Sequence, residues 1–263
     1  MKVSIIQMAP QLGHLRANIE TISSLIEQSD SDLFILPELA NSGYNFQNQQ
    51  AAFDASEKLE KSVFIEAVHG LAKIKNTHIV TGFCERDRHK LYNSSVLIAP
   101  KGVIGIYRKL HLFLNEKNIF NAGNLGLPVF DTELGKIAML VCFDWMFPEV
   151  WRKLALKGAQ LIAHPSNLVL PYCQGVVPSY ALVNRCYIAT ANRIGTEGNL
   201  TFSGQSILAT PNGETILRGT SDKSQVLSAE IDLSLANNKY ITELNDVFKD
   251  RRPDVYGNLE AND

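Results

Sequence analysis

Residues 137–149 read IAMLVCFDWMFPE, an apolar run from Ile137 to Val141 that stops abruptly at Cys142 and gives way to a turn before Pro148. The run has strand content. Residues 147–157 read as a helix, because Pro148 suits a first turn and Gly158 supplies a stop, and Gln160 to His164 returns to strand content. Strand, helix and strand in that order are the unit of an α/β fold.

The same alternation extends in both directions. Upstream, Lys2 to Met8 is a strand, residues 15–29 carry Ile19, Ile22, Leu25 and Ile26 at helical spacing, and Leu33 to Leu36 is a second strand. Residues 57–75 place Leu59, Val63, Phe64, Val68, Leu71 and Ile74 on one predicted helical face, and His78 to Cys84 follows as a strand. Leu91 to Ala99, Val103 to Tyr107 and Ile137 to Val141 then come as three strands, the first two joined by Pro100-Lys101-Gly102, which predicts an antiparallel portion in a mixed sheet. Downstream, a helix at about 175–186 precedes strands near 187–193, 203–209, 214–218 and 225–231, with a Pro211-Asn212-Gly213 turn. So many strands exceed one open sheet, and two packed sheets with helices outside are expected.

Composition excludes several classes. Hydrophobic residues make up 45% and charged residues 20% of the 263, enough apolar material for a packed core. A net charge of -2 leaves no basic footprint for nucleic acid. The longest unbroken apolar run, Ile137 to Phe143, falls far short of the roughly 20 residues of a membrane helix. Val3 to Ile6 ends at Gln7, too short for a signal segment, so a cytoplasmic location is expected. Cys84, Cys142, Cys173 and Cys186 fit no zinc or CxxC spacing, and the six histidines form no i, i+4 pair, so no metal is expected. Neither GxGxxG nor a Walker A loop occurs, and no cofactor is predicted.

Three apolar runs end at residues that can do chemistry. LFILPELANSGYNF ends its run at Glu38, VIGIYRKLHLF at Lys109, and IAMLVCFDWMFPE at Cys142. Taken singly, a Glu or Lys after a strand is ordinarily a solvated loop residue, and a Cys is ordinarily a small core hydrophobe. Strand ends over the crevice of an α/β sheet are also where ligands meet side chains. A thiol before a helix starting near Trp145 feels a partial positive charge, and with a base such as Glu38 it can act as a nucleophile.

In this order and spacing the three segments resemble the Glu, Lys and Cys motifs of the nitrilase superfamily of carbon–nitrogen hydrolases, and especially its small single-domain microbial amidohydrolases. The resemblance runs from IIQMAP at 5–10 through YNSSVLI at 92–98, GNLGLPVFDT at 123–132 and HPSNLVLP at 164–171 to FKDRR at 248–252. It implies a four-layer α-β-β-α sandwich of two mixed sheets forming a single domain over 1–263. By position it implies Cys142 as nucleophile, Glu38 as general base and acid, and Lys109 with the Phe143 backbone N–H as oxyanion donors. Glu116 resembles the family's second glutamate, and Tyr44, Trp145 and Asn167 are expected to line the substrate pocket.

The implied activity is hydrolysis of a non-peptide C–N bond in a small molecule. True nitrilases commonly carry Cys-Trp-Glu where this chain has Cys142-Phe143-Asp144, a departure that leans towards amides, with small aliphatic nitriles also suited to thiol attack. N-carbamoyl amines are the alternative substrates. Two further readings are weighed: a Cys-His-Asp hydrolase using Cys142 with His164 or His111, and a catalytically silent scaffold, against which the intact Glu, Lys and Cys argue. The family often forms homodimers or higher oligomers, and residues 240–263, with Tyr240, Leu244, Val247 and Phe248 among charges, are expected to form a dimerisation arm.

Overall fold

The apolar runs that precede Glu38 and Cys142 lie in two different sheets of the computed structural model, which describes residues 1–256. In chain order it begins with β1 (Lys2–Gln7), α1 (Leu15–Glu27), β2 (Leu33–Ile35), α2 (Gln49–Ala55) and α3 (Val63–Lys75). Next come β3 (His78–Asp87), β4 (Lys90–Ala99), β5 (Gly102–Arg108) and the short α4 (Glu116–Ile119). The second half contains β6 (Val129–Thr132), β7 (Gly135–Met139), α5 (Pro148–Leu156), β8 (Leu161–Ser166), α6 (Cys173–Asn184) and β9 (Tyr187–Asn192). It closes with β10 (Thr196–Glu197), β11 (Leu200–Thr201), β12 (Ile207–Ala209), β13 (Thr215–Arg218), β14 (Gln225–Glu230) and α7 (Pro253–Tyr256).

One sheet has the order β14-β1-β2-β3-β4-β5 and the other β13-β12-β9-β8-β7-β6. Each has parallel strands at its centre and antiparallel strands at its margins: β1, β2 and β3 are parallel, as are β7, β8 and β9. The sheets pack face to face. Val3, Ile5, Leu33, Ile35, Val80 and Leu97 of the first meet Ile137, Met139, Leu161 and Leu208 of the second in one buried core. On the outer face of the first sheet, Ile6, Phe34 and Phe83 pack against Ile22 and Ile26 of α1 and Phe64 and Val68 of α3. Trp151 and Leu154 of α5 with Val177 and Ala181 of α6 cover the second. The result is the four-layer α-β-β-α sandwich. β1 is buried on both faces, Val3 and Ile5 towards the other sheet and Ile6 towards α1.

Several sequence expectations need correction. Residues 57–75 are not one helix: a 3-10 turn at Leu59–Lys61 precedes α3, which starts afresh where Ser62 accepts from Ile65 N at 3.0 Å. That restart rotates the buried stripe to Phe64, Ile65, Val68 and Ala72, leaving Val63 58% and Ile74 82% exposed. Ile137 to Val141 does not extend the β3-β4-β5 antiparallel group. It lies in the other sheet, parallel to β8 and hairpinned to the unforeseen β6, because the loop after β5 crosses between sheets. The strand expected at 203–209 is confined to Ile207–Ala209, and α2 and the β10–β11 hairpin lie where no strong apolar period exists. The helix after Cys142 begins at Pro148, not near Trp145; Cys142–Met146 is a 3-10 turn.

Candidate active site

Glu38 and Cys142 follow the carboxyl ends of the parallel strands β2 and β7, on opposite sides of the seam between sheets. Behind Glu38 the chain runs hard against β3: a Cβ on Gly82 would stand 2.4 Å from Glu38 Cα and 2.3 Å from Leu39 N. Only glycine fits there. Lys109 leaves β5 with its N–H bonded to Asn93 O at 2.8 Å. Cys142 itself has φ +44°, a left-handed conformation that costs a residue with a Cβ about 1–3 kcal/mol unless its surroundings hold it. Those surroundings are visible: Val141 N–H donates to Asp144 Oδ2 at 2.9 Å, and His164 Nε2 donates to Cys142 O at 2.9 Å. Asp144 also accepts from Tyr107 OH and the His111 ring, each at 2.7 Å.

The charged groups converge in the interior. Lys109 Nζ lies 2.8 Å from Glu38 Oε1 and 2.7 Å from Glu116 Oε1, all three side chains being buried. Asn93 Nδ2 donates to the same Glu38 Oε1 at 2.6 Å, Asn167 Nδ2 to Glu38 O at 3.0 Å, and Tyr44 OH to Glu116 Oε1 at 2.7 Å. Glu38 Oε2 and Glu116 Oε2 are buried without a protein partner. Such atoms are rare in native interiors and point to a ligand or a proton to be handled. Cys142, Phe143, Trp145 and Asn167 line a narrow slot whose walls are completed by Phe113, Leu168, Val169 and Leu170. A roomier surface hollow lies elsewhere, at the opposite strand ends beside His78, Lys101 and Glu133. It holds none of these groups.

Burial and charge set the protonation states. Burial opposes a charged Lys109, but the Glu116 and Glu38 carboxylates outweigh it and hold the ammonium well above its ordinary range. Glu116 is pushed up to about 7 by burial and by Glu38, against the pull of Lys109 and the Tyr44 hydrogen bond. The sequence left the sign for the Cys142 thiol open. Burial, then the charge of Glu38, raises it well above the usual thiol value, more than Lys109 and the Asn167 backbone N–H lower it. At rest the Cys142 thiol is therefore held neutral, and the helix-end assistance expected from the sequence does not offset its burial.

All eight residues singled out in the sequence are at or around this place. Phe143 is the second residue of the turn opened at Cys142, where helical turns leave their N–H groups unpaired. His164 and His111 do not face the sulfur. His164, pulled down to about 4 by burial, is spent on Cys142 O and Thr190, and His111 is stacked on Phe147 and bonded to Asp144. Cys84, Cys173 and Cys186 are buried. Asn93 was missed as a site residue, although it lies in the quoted YNSSVLI segment; a buried Asn on an otherwise apolar strand was the available signal. Among the described residues no cluster of three or more His, Cys, Asp or Glu could hold a metal, and no helix is long and apolar enough to cross a membrane.

Comparison with known proteins bears on the chain as a whole. A family model described as carbon-nitrogen hydrolase matches residues 2–239. A curated relative named nitrilase, from Pyrococcus abyssi, is 42% identical over 97% of this chain and 99% of its own. An N-carbamoylputrescine amidase from Arabidopsis thaliana is 30% identical over 92% of this chain and 89% of its own. The crystal structure of a carbon-nitrogen hydrolase from Helicobacter pylori superposes with a TM-score of 0.87 at 26% identity, covering 98% of both chains.

Proposed function

The chain belongs to the carbon-nitrogen hydrolase family, and from that premise we propose that it hydrolyses small uncharged amides through a Cys142 acyl-enzyme. The single observation that carries this reading is the buried Lys109 ammonium clasped between Glu38 and Glu116 beside the thiol-lined slot. With Oε1 of Glu38 occupied by Lys109 and Asn93, Oε2 is the oxygen left to move a proton.

In the first step Glu38 takes the thiol proton as sulfur attacks the amide carbonyl, and the tetrahedral oxyanion accepts from Lys109 and the Phe143 N–H. The C–N bond breaks as Glu38 returns the proton to the departing amine, leaving a thioester and, from a primary amide, ammonia. Glu38 then deprotonates water, whose oxygen attacks the thioester, and sulfur leaves with the proton. A nitrile would enter as a thioimidate, which adds one water and releases ammonia to give the same thioester. The aromatic and aliphatic slot walls, Phe113, Trp145 and Val169 among them, suit a substrate that carries no charge beside the scissile carbonyl.

The test is ammonia release across simple amides, aliphatic nitriles and N-carbamoyl amines. Amides are expected to show the highest kcat/KM. An N-carbamoyl amine outrunning every amide would replace the substrate reading, and no release from any of the three classes would reject the activity.

We also read 1–263 as one domain that pairs with a second copy through its C-terminal arm. Among the described residues of that arm, Tyr240, Ile241 and Leu244 are exposed, Leu244 at 88%. Phe248 is held against the body under Arg152 and Lys239; residues 257–263 of the expected arm lie outside the described residues. A chain ending at residue 239 is expected to sediment as a monomer where the full chain is a dimer, and an unchanged dimer would refute the arm.

A further inference from the structure

The β10–β11 hairpin belongs to neither main sheet, yet it reaches the charged centre through one residue. Glu197 Oε2 accepts from the backbone N–H of Tyr44 at 3.0 Å and from that of Asn45. Its other oxygen faces Arg193 Nη1 at 3.2 Å, and Asn45 Nδ2 donates to Glu197 O at 2.8 Å. Arg193 is buried, bonded to Pro10 O at 3.0 Å and stacked 4.1 Å over the Phe202 ring. Phe202 in turn meets the Tyr44 ring edge-on at 5.8 Å. The loop before Tyr44 is built to let the hairpin in: Gly43 has φ +78°, and a Cβ there would stand 2.9 Å from Glu197 Oε1 and 2.6 Å from Leu12 Cα.

Tyr44 is therefore held by its backbone on Glu197, by its ring on Phe202, and by its hydroxyl on Glu116, which pairs with Lys109. A buried carboxylate and a buried guanidinium are costly to desolvate unless paired and hydrogen-bonded. Glu197, its side chain 10% exposed, and the buried Arg193 meet that condition, and Glu197 spends two of its bonds on the backbone of the Tyr44 loop.

We infer that Glu197, with Arg193 behind it, is a positioning residue that presents the Tyr44 hydroxyl to Glu116 and so keeps the Glu116 carboxylate ionised beside Lys109. This rests on the catalytic reading above and extends it to a part of the fold outside the sandwich. The groups acting on Glu116 are Lys109 from the end of β5, Glu38 from the end of β2 and Tyr44 from the hairpin-held loop, with Cys142 within electrostatic reach. Of these, Tyr44 is the one that Glu197 controls. Its hydrogen bond favours the charged carboxylate, so loosening it makes Glu116 bind a proton at higher pH.

The test is kcat/KM for ammonia release against pH in Glu197→Gln, Tyr44→Phe and the double variant, with Cys142→Ala as control. Each single variant is expected to lose about tenfold to hundredfold, the scale of a small misplacement near the reacting groups. Each should also move the acid limb of the profile to higher pH, and the double should be no worse than the weaker single because both act on one hydrogen bond. An acid limb that stays in place while the thermal midpoint falls, or losses that multiply in the double, would overturn the inference and leave Glu197 an ordinary structural residue. Should Glu197→Gln fail to fold, Asn45→Ala cuts only the Asn45–Glu197 carbonyl tie and the contact to Asn199. It is expected to shift the same limb with a smaller loss, and an unmoved limb there is equally decisive against it. Activity surviving in Cys142→Ala would instead refute the catalytic reading, so the two failures are distinguishable.

Discussion

Cys142→Ala is expected to lower ammonia release by about 10⁴-fold or more, since removing the nucleophile from a covalent mechanism costs on that order. The parent should accumulate a thioester detectable as a mass increase when quenched during turnover, and the variant should show none. The burial that raises the thiol adds a sharper expectation. Because the resting sulfur is protonated, iodoacetamide should alkylate it slowly at neutral pH, unlike the ready-formed thiolate of a Cys-His pair. Rapid alkylation of Cys142 in the free protein at pH 7 would contradict the assignment of Glu38 as the base that acts only on attack.

Lys109→Met is expected to damage both activity and folding. The ammonium is the one cation between Glu38 and Glu116 in the geometry described, and Met fills similar space without charge. Breaking a buried pair by deleting one partner costs about 3–5 kcal/mol, because the remaining charge stays desolvated. Loss of an oxyanion donor costs about 10²- to 10³-fold in kcat besides. The stability loss should depend on pH with a definite sign. Glu116 already sits at about 7, above its ordinary 4.5, and Lys109 is what holds it down. A carboxyl whose folded value is raised favours the fold below its unfolded value and loses that advantage as pH rises through the folded one. The variant should therefore be more destabilised at pH 8 than at pH 5. Urea midpoints at the two values decide it: equal losses would show that the carboxylates are not left facing each other.

How much of this was legible in the sequence follows from what is local and what is not. Each of the three reactive residues ends a short apolar run, and a run that stops is a local signal, so Glu38, Lys109 and Cys142 could be picked out singly. Pro148 and Gly158 bracket α5 by their own backbone chemistry, and α5 is where they said it would be. Partners are another matter. The run at Ile137 carries no mark of which sheet receives it, because a strand buried on both faces reads the same beside any neighbour, and it went to the sheet opposite the one expected. Thr196, Glu197 and Thr201 lack the apolar alternation that announces a strand, and Glu197 looks like any surface acid until Tyr44 and Arg193 are seen around it. Asn93 is opaque for the same reason: the carboxylate it holds is 55 residues away along the chain.

The pairing of β1 with β14 sets the order in which this molecule can be completed. Ser4 lies against Ser228, 224 residues apart, with their hydroxyls 2.6 Å from each other. At roughly 5–20 residues per second of synthesis, on the order of ten to forty seconds pass between the emergence of these two strands. During that interval β1 is an open edge whose amides have only β2 beside them, the kind of surface that recruits stray strands. A growing chain of this protein is thus a natural client for whatever shields nascent polypeptides, and premature termination anywhere before β14 should yield aggregate instead of a smaller working catalyst.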